Sequence, residues 1–200
     1  MINPNTTKPI LTNPIVDHLL TRRSVSAAQL GEPGPTPEQL TQILTAAARV
    51  PDHKKLAPWR FILFRGEARA AFGEELARIF EAQQDDATPA RIDFERNRFL
   101  RAPLVIAVIS RVVENAAAPA WEQELSAGAA CLNLLHAASA LGFGAQWITE
   151  WCAFDAEVAK VLGLAANERV AGFVYIGTAT VKPEERDRPQ LGDIVTDFPG

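Results

Sequence analysis

The stretch from Trp121 to Leu141 limits what this chain can become more than any other. After an opening Trp121-Glu122-Gln123-Glu124 it carries Ala127, Gly128, Ala129, Ala130, Ala137, Ala138 and Ala140 and leaves few polar faces. Acidic residues at the start suit a helix N-terminus. A helix with so little polar surface must be buried nearly all round, and 200 residues hardly supply that cover from one copy. A subunit interface is its natural place. Leu104 to Ser110 is equally demanding, because an unbroken run rich in Val and Ile is the mark of a strand covered on both faces. Together they predict an α+β fold with a mixed or antiparallel central sheet of four strands between helices, in a chain that self-associates.

Composition narrows the function classes. With 48% apolar residues the chain can build one domain with a sizeable core. A net charge of −4 lacks the basic excess that a phosphate backbone requires, which argues against nucleic acid. No apolar run is long enough for a bilayer, and Met1 to Asn13 has no basic segment followed by an apolar one, so a cytoplasmic location is expected. Cys131 and Cys152 are too few for a disulfide framework and read as reduced thiols. His18, His53 and His136 have no partner at zinc-ligand spacing, and no metal is expected.

Residues 1–13 are polar, contain two prolines and read as a flexible arm, followed by a single domain over 14–200 with a proline-containing tail beyond Thr178. Asn13 and Pro14 start a helix that carries Ile15, Val16, Leu19 and Leu20 toward Arg23. Thr36-Pro37-Glu38-Gln39 is a capping box, and the helix it opens should stop before Pro51. Strands are expected at Arg60–Phe64, Leu104–Ser110, Ala145–Thr149 and Val170–Ile176. Further helices are expected at Glu67–Gln84, Pro89–Phe99 and Asp155–Leu162.

Two basic clusters carry the functional signal. Arg22, Arg23 and Ser24 follow the first helix, and guanidinium forks with a hydroxyl suit a phosphate monoester. Two arginines also simply complement a helix C-terminus. Arg49 and His53 lie in a proline-containing loop with Lys54 and Lys55, and Pro58-Trp59 anchors that loop to the next strand. Loops on a rigid scaffold commonly carry binding groups, although a solvated charged loop has the same composition. Trp147 at a strand end is by itself a weak signal, since such residues more often pack in cores. No Gly-x-Ser-x-Gly elbow is present, Gly142-Phe143-Gly144 lacks the rest of a dinucleotide fingerprint, and the phosphate-loop Gly-Lys-Ser/Thr is absent.

Arg22-Arg23-Ser24, the Pro51-Asp52-His53-Lys54 run and Trp121-Glu122-Gln123-Glu124 with Ser126-Ala127-Gly128 resemble the FMN-dependent nitroreductase family, and within it the small YdjA-type members. The resemblance runs from about Pro14 to Thr178. It implies a three-layer α/β/α fold with a mixed, mainly antiparallel sheet, in a homodimer whose subunits exchange C-terminal segments and hold FMN at their interface. One subunit would supply Arg22, Arg23, Ser24 and the strand end Trp147, Ile148 and Thr149, and the other Arg49 and His53. Relatives carry a cationic residue where this chain has Ile148, a loss that Arg186 or Arg188 could offset by meeting the phosphate. The implied activity is electron transfer from NAD(P)H through FMN to nitroaromatic or quinone-like acceptors by a ping-pong mechanism. The cofactor carries the chemistry, so no side chain is named as catalytic. The alternative is an FMN-binding protein for storage, sensing or interaction with little turnover. A flavin-independent interaction protein is a third class.

Overall fold

The computed structural model describes residues 13–115 and 117–199, so the expected arm lies outside the described residues except for Asn13. That asparagine caps α1 (Pro14–Thr21), its side-chain oxygen accepting from the N–H groups of Ile15 and Val16 at 3.0 and 3.3 Å. None of its residues is buried among the described residues, and Ile15, Leu19 and Leu20 are each more than half exposed. β1 (Leu30–Gly31) follows, then α2 (Pro37–Ala47), where Thr36 and Gln39 form the predicted reciprocal capping box. The chain continues through β2 (Trp59–Arg65), α3 (Glu67–Gln83), α4 (Pro89–Arg96), β3 (Leu104–Arg111), α5 (Ala120–Ala140) and β4 (Gly144–Ile148). It ends with α6 (Ala156–Val161), β5 (Glu168–Ala179) and the short α7 (Leu191–Ile194).

The strands form one sheet in the order β2, β3, β5, with β4 and β1 following each other along the far edge of β5. Every pairing among the described residues is antiparallel, so the mixed alternative is not needed within one chain. Five strands appear among the described residues rather than the four expected. The extra one, β1, has two residues and therefore no periodicity to read. In the opposite direction, the helix expected over Pro89–Phe99 stops at Arg96 and becomes a 3-10 turn at Arg98–Arg101.

Alternation along β3 and β5 assigns the two faces. Val105, Ala107, Ile109, Phe173 and Tyr175 pack with Phe72, Leu76, Ile79 and Phe99 on the side of α3 and α6. Leu104, Ile106, Val108, Val174 and Ile176 pack with Ile43, Cys131, Leu134 and Ala138 on the side of α2 and α5. β3 thus reads as one apolar run because both its faces are covered, and all its residues but Arg111 are buried. Cys131 and Cys152 lie in these two separate clusters, and burial pushes both thiols up to about 12.

α5 is covered on one side only. Ala127, Ala130, Leu134 and Ala138 are fully buried, whereas Trp121, Leu125 and Leu132 are 68%, 53% and 42% exposed. Large apolar side chains lose about 1.5–3 kcal/mol each if left in water instead of buried. The predicted all-round burial of this helix is therefore incomplete in a single copy.

Candidate functional site

The first basic cluster forms where α1 ends. Arg22 caps α1 with its N–H bonded to the carbonyl of His18, and the chain then turns so that Val25 N–H donates to the carbonyl of Ala145 in β4. Arg22 and Arg23 therefore stand beside the Gly144 end of β4, lining a cavity of about 310 Å³ with Gly144, Ser139 and Lys182. Ser24 is exposed next to them. The tail closes on this cluster. Arg23 bonds the carbonyl of Glu184 and pairs with the Glu185 carboxylate at 3.2 Å, and Glu185 also meets Arg188 at 3.4 Å. Burial, and then the like charges of Arg188 and Arg23, push the Arg22 guanidinium below its ordinary value. His136, 3.1 Å from His18, is lowered by burial and then by Arg22. An excess of positive charge with few carboxylates is a site suited to an anion. Of the two tail arginines, Arg188 joins it through Glu185, whereas Arg186 is tied there only by its main-chain N–H.

The strand end Trp147–Thr149 lies at the other end of β4. Because the Ala145 carbonyl points away from β5 to Val25, the main-chain groups of Trp147 point to the same open edge. They have no hydrogen-bond partner among the described residues. Gly144 and Trp147 are roughly 10 Å apart along the strand. The Trp147 indole lies against Gly172, where an added Cβ would come 1.9 Å from its Nε1, and points toward Gly128 of α5. It is held by a bond from Nε1 to the carbonyl of Ala171 at 3.2 Å. Ala171 is the unpaired residue of a bulge in which Val108 and Ile109 face Gly172 and Val170, so the bulge presents a spare acceptor to the indole.

Trp147 and Thr149 border a cavity of about 640 Å³ that reaches Glu124 and Gly128 of α5, Ser110 of β3 and Phe154. The hydroxyl of Ser110 is buried with no partner among the described residues, and buried polar groups ordinarily have one. Ile148 differs from its neighbours. Its side chain packs on the α3 side of the sheet and its main chain pairs with Phe173, so neither reaches this cavity. Ile148 is thereby set apart from Trp147 and Thr149, because residues of a strand alternate between faces and between edges.

The strand end stops at Glu150, whose φ of 57° and ψ of 179° fall in a region essentially reserved for glycine. Such a residue costs about 1–3 kcal/mol and persists only if its surroundings hold it. Glu150 Oε1 lies 2.5 Å from Arg98 Nη1, and Oε2 lies 2.6 Å from Arg101 Nη2. Arg98, almost fully buried, pairs in turn with Glu95, which also accepts from Trp151 Nε1 at 2.8 Å. Burial opposes charge on Glu150, but hydrogen bonds from Arg101 and Arg98 outweigh it and hold the carboxyl below its ordinary value.

The second basic cluster sits on a loop built between α2 and β2. Lys54, Lys55 and Ala57 all have positive φ. The Asp52 carboxylate accepts from Leu56 and Ala57 N–H, both at 2.9 Å, which closes the loop internally. α5 fixes it from outside. Asn133 donates to the carbonyls of Ala46 and Arg49 at 3.1 Å, Ser126 donates to that of Pro51 at 2.7 Å, and Glu122 meets His53 Nδ1 at 2.6 Å. This is a fixed loop, with Arg49 and His53 exposed on it.

Within one chain the structure brings Arg22, Arg23 and Ser24 to one end of β4 and Trp147 and Thr149 to the other, while Arg49 and His53 line neither cavity. Sequence reasoning missed Glu150, Ser110 and Gly172. An isolated glycine inside a strand pattern does signal a bulge or a close approach, and Gly172 is both. Nothing local marks Glu150.

Known proteins share this arrangement of elements. Residues 19–178 match the profile of the Nitroreductase family. YdjA of Escherichia coli K12, whose name gives NAD(P)H nitroreductase as a provisional activity, is 41% identical over 165 residues, covering 82% of this chain and 87% of its own. A Haemophilus influenzae protein named in the same provisional way is 36% identical over 173 residues, covering 85% and 91%. Among solved structures, a nitroreductase-like family protein from Bacillus cereus superposes with a TM-score of 0.81 at 21% identity, covering 96% of this chain and 99% of its own. A Bacteroides fragilis nitroreductase with bound FMN gives 0.69 at 23% identity, covering 94% and 100%. The two-faced antiparallel sheet, the basic turn after α1 and these likenesses agree: the chain belongs to the nitroreductase family.

Proposed function

We propose that this protein is a cytoplasmic FMN-dependent NAD(P)H oxidoreductase that works as a homodimer with FMN at the subunit interface. The observation that carries this reading is the arrangement along β4, with an arginine cluster at the Gly144 end and, at the Trp147 end, a strand edge without hydrogen-bond partners among the described residues. Arg22, Arg23 and Ser24, joined by Arg188, would hold the cofactor's phosphate, since guanidinium forks match its oxygens. Trp147 and Thr149 would line the ring system, with the Trp147 main-chain N–H as a donor on the open edge. Ser110 offers a further hydroxyl with no competing partner. Arg49 and His53 would come from the second copy, a placement supported by their absence from both cavities of their own chain. The exposed apolar faces of α1 and α5 supply a surface for that copy.

When bound at the sites of Arg22, Arg23, Ser24, Trp147 and Thr149, FMN would supply the redox chemistry of ping-pong electron transfer between NAD(P)H and a nitroaromatic or quinone-like acceptor. The protein's own contribution is to bind, orient and stabilise charge. Fixed N–H donors and cations near a developing negative charge do this without reorganising. The cofactor carries the chemistry, so no side chain is proposed as an obligatory acid or base.

The test is the visible absorbance of the purified protein, followed by anaerobic addition of NADH and NADPH. A flavin spectrum that bleaches with either donor and returns on adding a nitroaromatic or quinone is the expected result. A persistent spectrum would move the reading to an FMN-binding protein for storage or sensing. A protein that takes up no FMN would overturn it. Arg22→Ala should weaken FMN retention, and full flavin content in that variant would refute the phosphate assignment.

A further inference from the structure

Glu150 occupies a backbone conformation that glycine would adopt freely, yet it is the residue following the strand end at which the flavin ring is proposed to lie. Were only a turn required, glycine would serve without strain. The side chain therefore has a task of its own, and its partners show what that is. Arg98 and Arg101 belong to the 3-10 turn Arg98–Arg101 that leads into β3, and Arg101 reaches Tyr175 of β5 at 3.1 Å. Arg101 Nε also donates to the Arg98 carbonyl at 2.8 Å, so the two arginines are held to one another. Glu95, on α4, meets both Arg98 Nε and Nη2 at 2.5 Å. Two glutamates and two arginines thus balance in charge and form a closed set linking α4, the turn before β3, and the end of β4. A closed set of this kind defines one geometry and tolerates few others.

We propose that Glu150 is a positioning residue. Its carboxylate, clamped by Arg98 and Arg101, holds the main chain after Thr149 in a glycine-like bend and so fixes the strand end Trp147–Thr149 where it borders the 640 Å³ cavity. What that strand end serves rests on the flavin reading above. The clamp itself does not, because it acts on the chain's own backbone. Arg98, with under a tenth of its surface exposed, serves no exposed surface, and its two carboxylate partners account for its charge.

Glu150→Ala and Glu150→Gly separate the bend from the charge. Alanine loses the clamp but keeps the steric objection to the bend, whereas glycine loses the clamp and the objection together. Two readouts apply: amide hydrogen exchange at residues 147–151 in the cofactor-free protein, and FMN dissociation followed by flavin fluorescence. E150A is expected to speed local exchange and weaken FMN by on the order of tenfold. E150G should recover FMN affinity to within about threefold of the wild type, and R98M should behave like E150A. Equal weakening in E150A and E150G would overturn the proposal in favour of a direct role for the charge, and so would wild-type behaviour in both. Should E150A fail to fold, R98M takes its place in the comparison with E150G. If the wild type takes up no FMN, the flavin reading fails, while the exchange contrast between E150A and E150G still decides the clamp.

Discussion

The loop Arg49–Trp59 and the strand end Trp147–Glu150 both hold non-glycine residues at positive φ, and they are secured in opposite ways. The loop that carries Lys54, Lys55 and Ala57 is held by separate hydrogen bonds, the Asp52 carboxylate accepting from Leu56 and Ala57 N–H and Ser126 and Asn133 donating to main-chain carbonyls. Glu150 is secured by one closed network of charges, two of them almost fully buried. Each hydrogen bond contributes about 0.5–1.5 kcal/mol, so a loop held by several can lose one and survive. A buried ion network has no such reserve, since removing one member leaves the others desolvated without a partner. The loop is therefore built to be tolerant, the strand end to be exact and brittle.

The strongest way to break this contrast is Arg98→Met. It leaves the buried carboxylate of Glu95 and that of Glu150 short of a partner, and urea unfolding should show a loss of about 3–5 kcal/mol. A loss under about 1 kcal/mol would mean that the strand end is as tolerant as the loop. Gly172→Ala comes next. The new methyl group would overlap the Trp147 indole, and overpacking of this kind costs about 1–3 kcal/mol. The near-ultraviolet circular dichroism of Trp147 should change with it, whereas an unchanged spectrum would show that the indole is free to move. Asn133→Ala probes the loop and removes the two bonds to Ala46 and Arg49, with an expected loss of about 1–2 kcal/mol by the same unfolding measurement.

Acid gives the smallest and most gradual effect. Hydrogen bonding to Arg60 holds Glu168, beside the cavity, at about 2 against an ordinary value of 4.5. A carboxyl depressed on folding adds stability that is fully present above its unfolded value and fades as pH falls toward the folded one. Between about pH 4.5 and 2 the wild type should therefore lose stability, and Glu168→Gln should flatten that part of the curve. Glu150 is lowered in the same direction, so the double variant E150G/E168Q should flatten it further. An identical pH profile in the wild type and both variants would refute this account.

Much of the fold is legible in the sequence alone. Asn13-Pro14 and Thr36 with Gln39 announce two helix starts because caps depend on neighbours within one turn. The apolar run of β3 announces a central strand, and the small residues of α5 announce a packed helix. The loop at Arg49–Trp59 shows in its prolines and its basic residues, although the three α5 side chains that fix it do not. Less of the site was legible. Trp147 and Ile148 are adjacent and equally apolar, but the sheet turns one to the cavity and the other into the α3 side of the core. Alternation says that they differ, and only the pairing with Val174 and Phe173 says which is which.

Local order in the chain was thus enough to specify most of the elements, the caps of α1 and α2 and the basic turn after α1, because those depend on residues within a few positions of one another, whereas the two-residue β1 and the end of α4 escaped it. Which distant groups meet is a different matter. Arg98 finds Glu150, Arg23 finds Glu185, and His53 finds Glu122 across long stretches of sequence. These pairs follow from how the helices settle on the two faces of the sheet, and no period or motif in the chain encodes them. The same packing places a glutamate where the backbone alone would call for glycine, and a local reading of Thr149-Glu150-Trp151 carries no sign of it.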